Sequence, residues 1–340
     1  EIINDDKVII DEQFIGNLKG LRFEMDLKAG ALETDIKSLK KAARQTVGPE
    51  LQKRIQSIID TRLIEIKNDF KIYWKNFSIA KIIPGKDYLN PEIFLMVDDI
   101  LENNDKQKLA EFIEKWIKEK INLVLKSLID LKNLKESNSS IKALAYQLYE
   151  NNGVIKREMV VEYLKKLGQD ERKILRDLGV KFGRYHIFLF RLLKPEAVSL
   201  RTLLWKNFNQ KSFDLTPPTF GLNFLDDKNL RDKNFMLLCG FENFGSYFVR
   251  IDILERLFVQ IINSEPEKNK EIKLVPEMLN LLGCSKENFK KLIEKMNYKI
   301  FEKDKDIYFK YNPQKQIKKT FKKTISSNNP FKILKDLNLN

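Results

Sequence analysis

Two aromatic residues of this chain stand next to cations, Trp74 beside Lys75 and Tyr185 beside Arg184. A ring face accepts a stacked base of any identity, and a neighbouring cation can meet its phosphate. Each pair therefore has the chemistry of a single-stranded nucleic-acid contact. A ring at position 74 equally suits cross-strand packing in a sheet, and the residue type leaves both uses open. Lysines recur at Lys286, Lys290, Lys291 and Lys295, and again at Lys318, Lys319, Lys322 and Lys323. Such clusters gather phosphate by releasing counterions, or serve only as a solvated surface.

Catalytic chemistry is poorly provided for. His186 is the only histidine, and it sits in an apolar stretch that marks it as a structural residue. Cys239 and Cys284 have no activating neighbour in sequence, are too few for a disulfide framework and suggest a reducing, cytoplasmic setting. The chain has no Gly-x-x-x-x-Gly-Lys-Ser/Thr loop to cradle ATP, no Gly-x-Ser-x-Gly, no His-Glu-x-x-His and no Cys-x-x-Cys. Asp98-Asp99 read as a helix end rather than metal ligands, because adjacent helical residues point about 100° apart. No cofactor and no metal site is expected.

The element that must position Arg184 and Tyr185 runs from Gly179 to Trp205, GVKFGRYHIFLFRLLKPEAVSLRTLLW. Gly179 can close the helix before it. Val180 to Phe190 is β-branched and aromatic, which predicts a buried strand. Pro195 then opens a helix burying Ala197, Val198, Leu200, Leu203, Leu204 and Trp205.

Around this block the spacing predicts several further elements. Two or three strands are expected over 1–28, and a helical stretch over 31–60 split at Gly48-Pro49. Strands follow over 64–83 with turns at Asn68-Asp69 and Lys75-Asn76. Leu109, Phe112, Ile113, Trp116, Ile117, Ile121, Val124 and Leu128 keep one stripe through a helix over 105–131. Helices are expected over 141–150, 156–167 and 170–178, a surface excursion over 208–233 and a strand over 235–241. Asp252 and Glu255 suggest a capping box opening a helix through Leu257, Phe258, Ile261 and Ile262. Residues 273–311 have the order of a winged helix: two short helices about Gly283, the second capped by Ser285, then a hairpin.

The fold class expected is α+β, predominantly α: a helical bundle with small β elements and a C-terminal winged-helix-like unit. The organisation expected is a small mixed region at 1–89, a helical bundle at 90–178, strand–helix units at 179–263, the winged-helix-like unit at 264–311 and a basic tail at 312–340.

The chain has 340 residues, with 62 lysines and arginines against 48 aspartates and glutamates, a formal net charge of +14. That balance favours polyanions, although a composition rich in Lys, Asn and Ile also fits an AT-rich genome. The tail carries seven lysines against one acid. No run of 18 apolar residues is present, so no membrane partner is expected. The first residue is not Met, which suggests a processed chain or a piece of a longer one.

Four segments together resemble one family. They are the 179–205 block, Ile72-Tyr73-Trp74-Lys75 with Ile83-Pro84-Gly85-Lys86-Asp87-Tyr88-Leu89, Val249 to Leu257, and Met278 to Ser285. In their order along the chain they resemble the C-terminal region of alphaproteobacterial superfamily-two ATP-dependent RNA helicases related to the mitochondrial degradosome helicase. The resemblance covers about residues 70 to 300 and includes no catalytic motif. It implies a non-catalytic accessory region that binds single-stranded RNA and braces upstream motor domains, where ATP and Mg would act. The alternative is an adaptor that docks a nuclease or another protein without touching nucleic acid.

Overall fold

Short alternating runs pair with themselves before the chain reaches its first helix. In the computed structural model, which describes residues 2–4, 6–10, 13–26, 33–135, 139–212, 214–227, 232–264 and 270–312, β1 (Ile2–Asn4), β2 (Lys7–Ile10), β3 (Gln13–Lys19) and β4 (Arg22–Met25) form an antiparallel sheet in chain order. Helix α1 (Glu33–Thr61) follows without a break, although Pro49 lies inside it. The expected split at Gly48-Pro49 does not occur. Val47, Leu51, Ile55 and Ile58 are all buried and share one face across the proline. Burial along that continuous face offsets the one lost backbone hydrogen bond.

A second sheet, β5 (Ile64–Ile66), β6 (Lys71–Trp74), β7 (Phe77–Ile83) and β8 (Glu92–Leu95), is again antiparallel in chain order. Its turns fall at the expected positions. Next come α2 (Asn103–Val124), α3 (Lys126–Lys132) and α4 (Ser139–Glu150). Leu109, Ile113, Ile117 and Ile121 form the buried stripe of α2. The chain then makes β9 (Val154–Lys156), α5 (Val161–Lys165), α6 (Gln169–Asp177), β10 (Val180–Phe182), β11 (His186–Leu189) and α7 (Pro195–Phe208). The single strand expected after Gly179 is a hairpin that turns at Gly183–Tyr185, and β9 completes its sheet in the order β10-β11-β9.

Beyond α7 lie β12 (Phe224–Asp226), α8 (Lys233–Leu238), β13 (Phe241–Phe244), β14 (Tyr247–Arg250) and α9 (Ile251–Asn263). The strand expected at 235–241 is mostly helix, because Asp232 caps Asn234 and Phe235 through its carboxylate and buries Phe235, Met236 and Leu238 on one side. The last unit is β15 (Ile272–Lys273), α10 (Pro276–Leu282), α11 (Lys286–Lys295), β16 (Tyr298–Lys303) and β17 (Asp306–Tyr311), in the expected order. Gly283 adopts a left-handed φ of 67° between the two helices, and the Ser285 hydroxyl accepts from the Asn288 amide at 3.2 Å.

The described residues therefore form a mixed α/β structure with five small antiparallel sheets, and the predominantly α helical bundle expected from the sequence is corrected. Strands of three or four residues interrupt the helices and pair with distant segments, as Ile155 does with Ile187. A run that short has no period of its own to reveal it.

One apolar cluster extends from Val8 to Leu204, and a second from Tyr247 to Phe309. Arg201 ties three separate segments together. It is fully buried and donates to three main-chain carbonyls, Asn152 at 2.7 Å, Leu192 at 3.2 Å and Leu238 at 2.6 Å. Burial without a carboxylate partner lowers its pKa to about 10. Trp205 is half-buried, tilted against Phe235 with ring centres 6.1 Å apart. Among the described residues no helix is long and apolar enough to cross a membrane.

Candidate nucleic-acid interface

Arg184 and Tyr185 occupy the tip of the β10–β11 hairpin, and the hairpin tip rests on α9. Glu255 on α9 makes the attachment. Its carboxylate accepts from the backbone amides of Arg184, Tyr185 and His186, the last two at 2.9 Å. The close approach depends on Gly183, where a Cβ would lie 2.4 Å from the Glu255 carboxyl carbon. Glu255 is thus not the capping-box residue that its spacing suggested. Asp252 is not a cap either: it pairs with Arg250, with Nε to Oδ1 at 2.6 Å.

Beneath the tip, His186 is 2% exposed and packed between two carboxylates. Its Nε2 lies 2.6 Å from Glu242, and its Nδ1 lies 3.6 Å from Glu255, within ion-pair reach but beyond a hydrogen bond. Lys156 on β9 reaches the other oxygen of Glu242 at 3.1 Å. Burial opposes a charge on the imidazole, but the Glu242 and Glu255 carboxylates outweigh burial and hold its pKa above the ordinary 6.5. Burial likewise opposes a charge on Glu242, and His186 and Lys156 outweigh it, leaving that pKa below the ordinary 4.5.

Two grooves adjoin at this tip. One, of about 560 Å³, is lined by Tyr185, Phe258, Ile262, Tyr298 and Tyr311, with Arg184, Lys270 and Lys310 at its margin. The other, of about 650 Å³, is lined by Phe182, Phe190, Val259 and Ile262, with Arg157, Lys181, Arg184 and Arg256 around it. Arg184 and Phe258 belong to both, the guanidinium carbon lying 5.6 Å from the ring centre. Tyr185 meets the same ring edge-on at 5.6 Å. Burial, with the neighbouring Tyr298, raises the Tyr185 hydroxyl pKa and keeps it protonated. The acids here are already engaged, Glu255 with the hairpin amides and Asp252 with Arg250. Among the described residues Lys181, Arg184, Arg256 and Lys310 have no acidic partner. The face is aromatic in the middle and positive at the rim.

The other sequence candidates are placed elsewhere. Trp74 is 6% exposed and belongs to the core beside β7, with the Lys75 ammonium 4.6 Å from its ring centre. On α11, Lys286, Lys291 and Lys295 are exposed, and Lys290 pairs with Glu302 on β16 at 2.6 Å. None of these four lines either groove. Lys318, Lys319, Lys322 and Lys323 lie outside the described residues.

Sequence reasoning missed Glu255, Arg256, Phe258, Val259 and Ile262. Phe258 is half-buried and Ile262 is 58% exposed. The available signal was that α9 has more apolar positions than one buried face needs. No family model, no curated protein and no solved structure matches this chain.

Proposed function

We propose that this chain is an accessory region of an ATP-dependent RNA helicase and holds single-stranded RNA across the two grooves that meet at Arg184 and Phe258. The observation that supports this is the coincidence of exposed ring and aliphatic surface with unpaired cations around it. Bases stack on such a centre and phosphates reach such a rim. The chain's own residues bind and orient a strand; ATP and Mg would belong to motor domains outside it.

Titration of a labelled single-stranded RNA at several salt concentrations tests the reading. Each phosphate neutralised contributes about −0.7 to the slope of log K against log salt, so Arg184→Glu with Arg256→Glu should flatten the slope by about 1.4. No binding at low salt defeats it. The second reading, a protein adaptor that docks a nuclease or similar partner, is favoured by the exposure of Val259 and Ile262 on the same face. It predicts partner binding that Ile262→Glu abolishes, with no affinity for RNA.

A further inference from the structure

His186 is buried where nothing catalytic is needed, yet both of its ring nitrogens face carboxylates from different elements. Glu242 comes from β13 and Glu255 from α9, while His186 itself belongs to the hairpin sheet. A neutral imidazole has one N–H and one lone pair, so it can satisfy only one of two carboxylates and must turn its lone pair toward the other. An imidazolium donates to Glu242 and, through its charge rather than a hydrogen bond, also attracts Glu255 at 3.6 Å. Lys156 on β9 is the other charge in contact with Glu242, and Arg157 donates to the Gly183 carbonyl at 2.8 Å, gripping the same turn from the opposite side.

We infer that His186 is the positioning residue of the groove face: as an imidazolium held between Glu242 and Glu255 it keeps the Gly183–His186 turn seated on α9, and its deprotonation releases Arg184 and Tyr185 from their places over Phe258. The inference rests on the RNA reading only for its functional consequence. When the proton leaves, Glu242 keeps Lys156 as a partner, but Glu255 loses its counter-charge and retains only the hairpin amides. The turn then depends on three hydrogen bonds to a buried-side carboxylate facing a lone pair. Because His186 binds its proton more tightly in the folded chain, its contribution is complete below the ordinary value of 6.5 and is lost as pH rises through the raised folded value. Glu242 sets the opposite limit, contributing above its ordinary 4.5 and losing its contribution as pH falls through the lowered value.

The chain has a single histidine, so selective isotope labelling gives one imidazole resonance to follow by NMR. Its titration midpoint should lie above 6.5. Protection of the Arg184, Tyr185 and His186 amides from hydrogen exchange, referred to the intrinsic exchange rate at each pH, should fall over that same step. Affinity for single-stranded RNA should fall by about fivefold or more across it, the low end of coupling between linked sites. His186→Gln, which keeps a donor for Glu242 and loses the charge, should bind more weakly than the parent at low pH and show no step. A midpoint at or below 6.5, or amide protection indifferent to the step, overturns the inference. RNA affinity that is present but flat with pH overturns its link to the face. Absence of RNA binding at every pH defeats the RNA reading alone, and the titration and exchange then decide the clamp without it.

Discussion

Trp74–Lys75 and Arg184–Tyr185 each set an aromatic residue beside a cation, and the structure uses them in different ways. Trp74 ends β6 at a two-residue turn and belongs to the core, so its cation lies over a ring that is only 6% exposed. Arg54, which lines a cavity with Trp74, is already paired with Asp6 and Glu50. Around Arg184 the pairing is reversed: acids are occupied by backbone amides or by Arg250, and cations are left over. A cation beside an aromatic residue becomes a binding site only where the ring is accessible and the local charge is unanswered. Both conditions are tertiary.

The largest effect expected from breaking this comparison is on stability. Trp74→Ala removes a buried ring and should cost about 3–5 kcal/mol of folding free energy. RNA affinity of the fraction that remains folded should not change, as denaturant melts paired with RNA titration would show. A stable Trp74→Ala chain with weakened RNA binding would make the two regions equivalent. Arg201→Met comes next, leaving three carbonyls without their donor at about 1 kcal/mol or more each, seen as a lowered melting temperature.

On the other side of the comparison, Tyr311→Ala should barely move the melting temperature, since Tyr311 is 55% exposed. It should weaken single-stranded RNA binding by about 1–3 kcal/mol if a base stacks there. Unchanged affinity would take the groove beside β17 out of the RNA path. The smallest effect is expected from Lys290→Glu with Lys291→Glu. These side chains line neither groove, and Lys290 already has Glu302, so affinity and salt slope should stay close to the parent values. A clear flattening of the slope would move the site to α11.

Much of the local structure could be read from the sequence. Alternation over 64–83 with polar turns yields β5 to β7, the stripe from Leu109 to Ile121 yields α2, and Gly283 followed by Ser285 yields the turn between α10 and α11. In each case the deciding interaction lies within a few residues, where side-chain period, a left-handed glycine or a cap acts directly on the backbone. Three-residue β9, the helix at Lys233–Leu238 and the unbroken α1 were not legible, because distant packing decides them.

The sequence by itself determined that the chain is basic, has no phosphate-cradling loop, and sets Arg184 beside Tyr185 in a strongly apolar block. It also supplied the 179–205 and 249–257 segments as separate blocks, with nothing to say that Gly183 of one admits Glu255 of the other. Only the tertiary structure brought those residues together, along with the Glu242 carboxylate that faces His186. The physical reason is that a turn's own residues fix its shape, whereas its charges, burial and partners are set by elements that arrive much later in the chain.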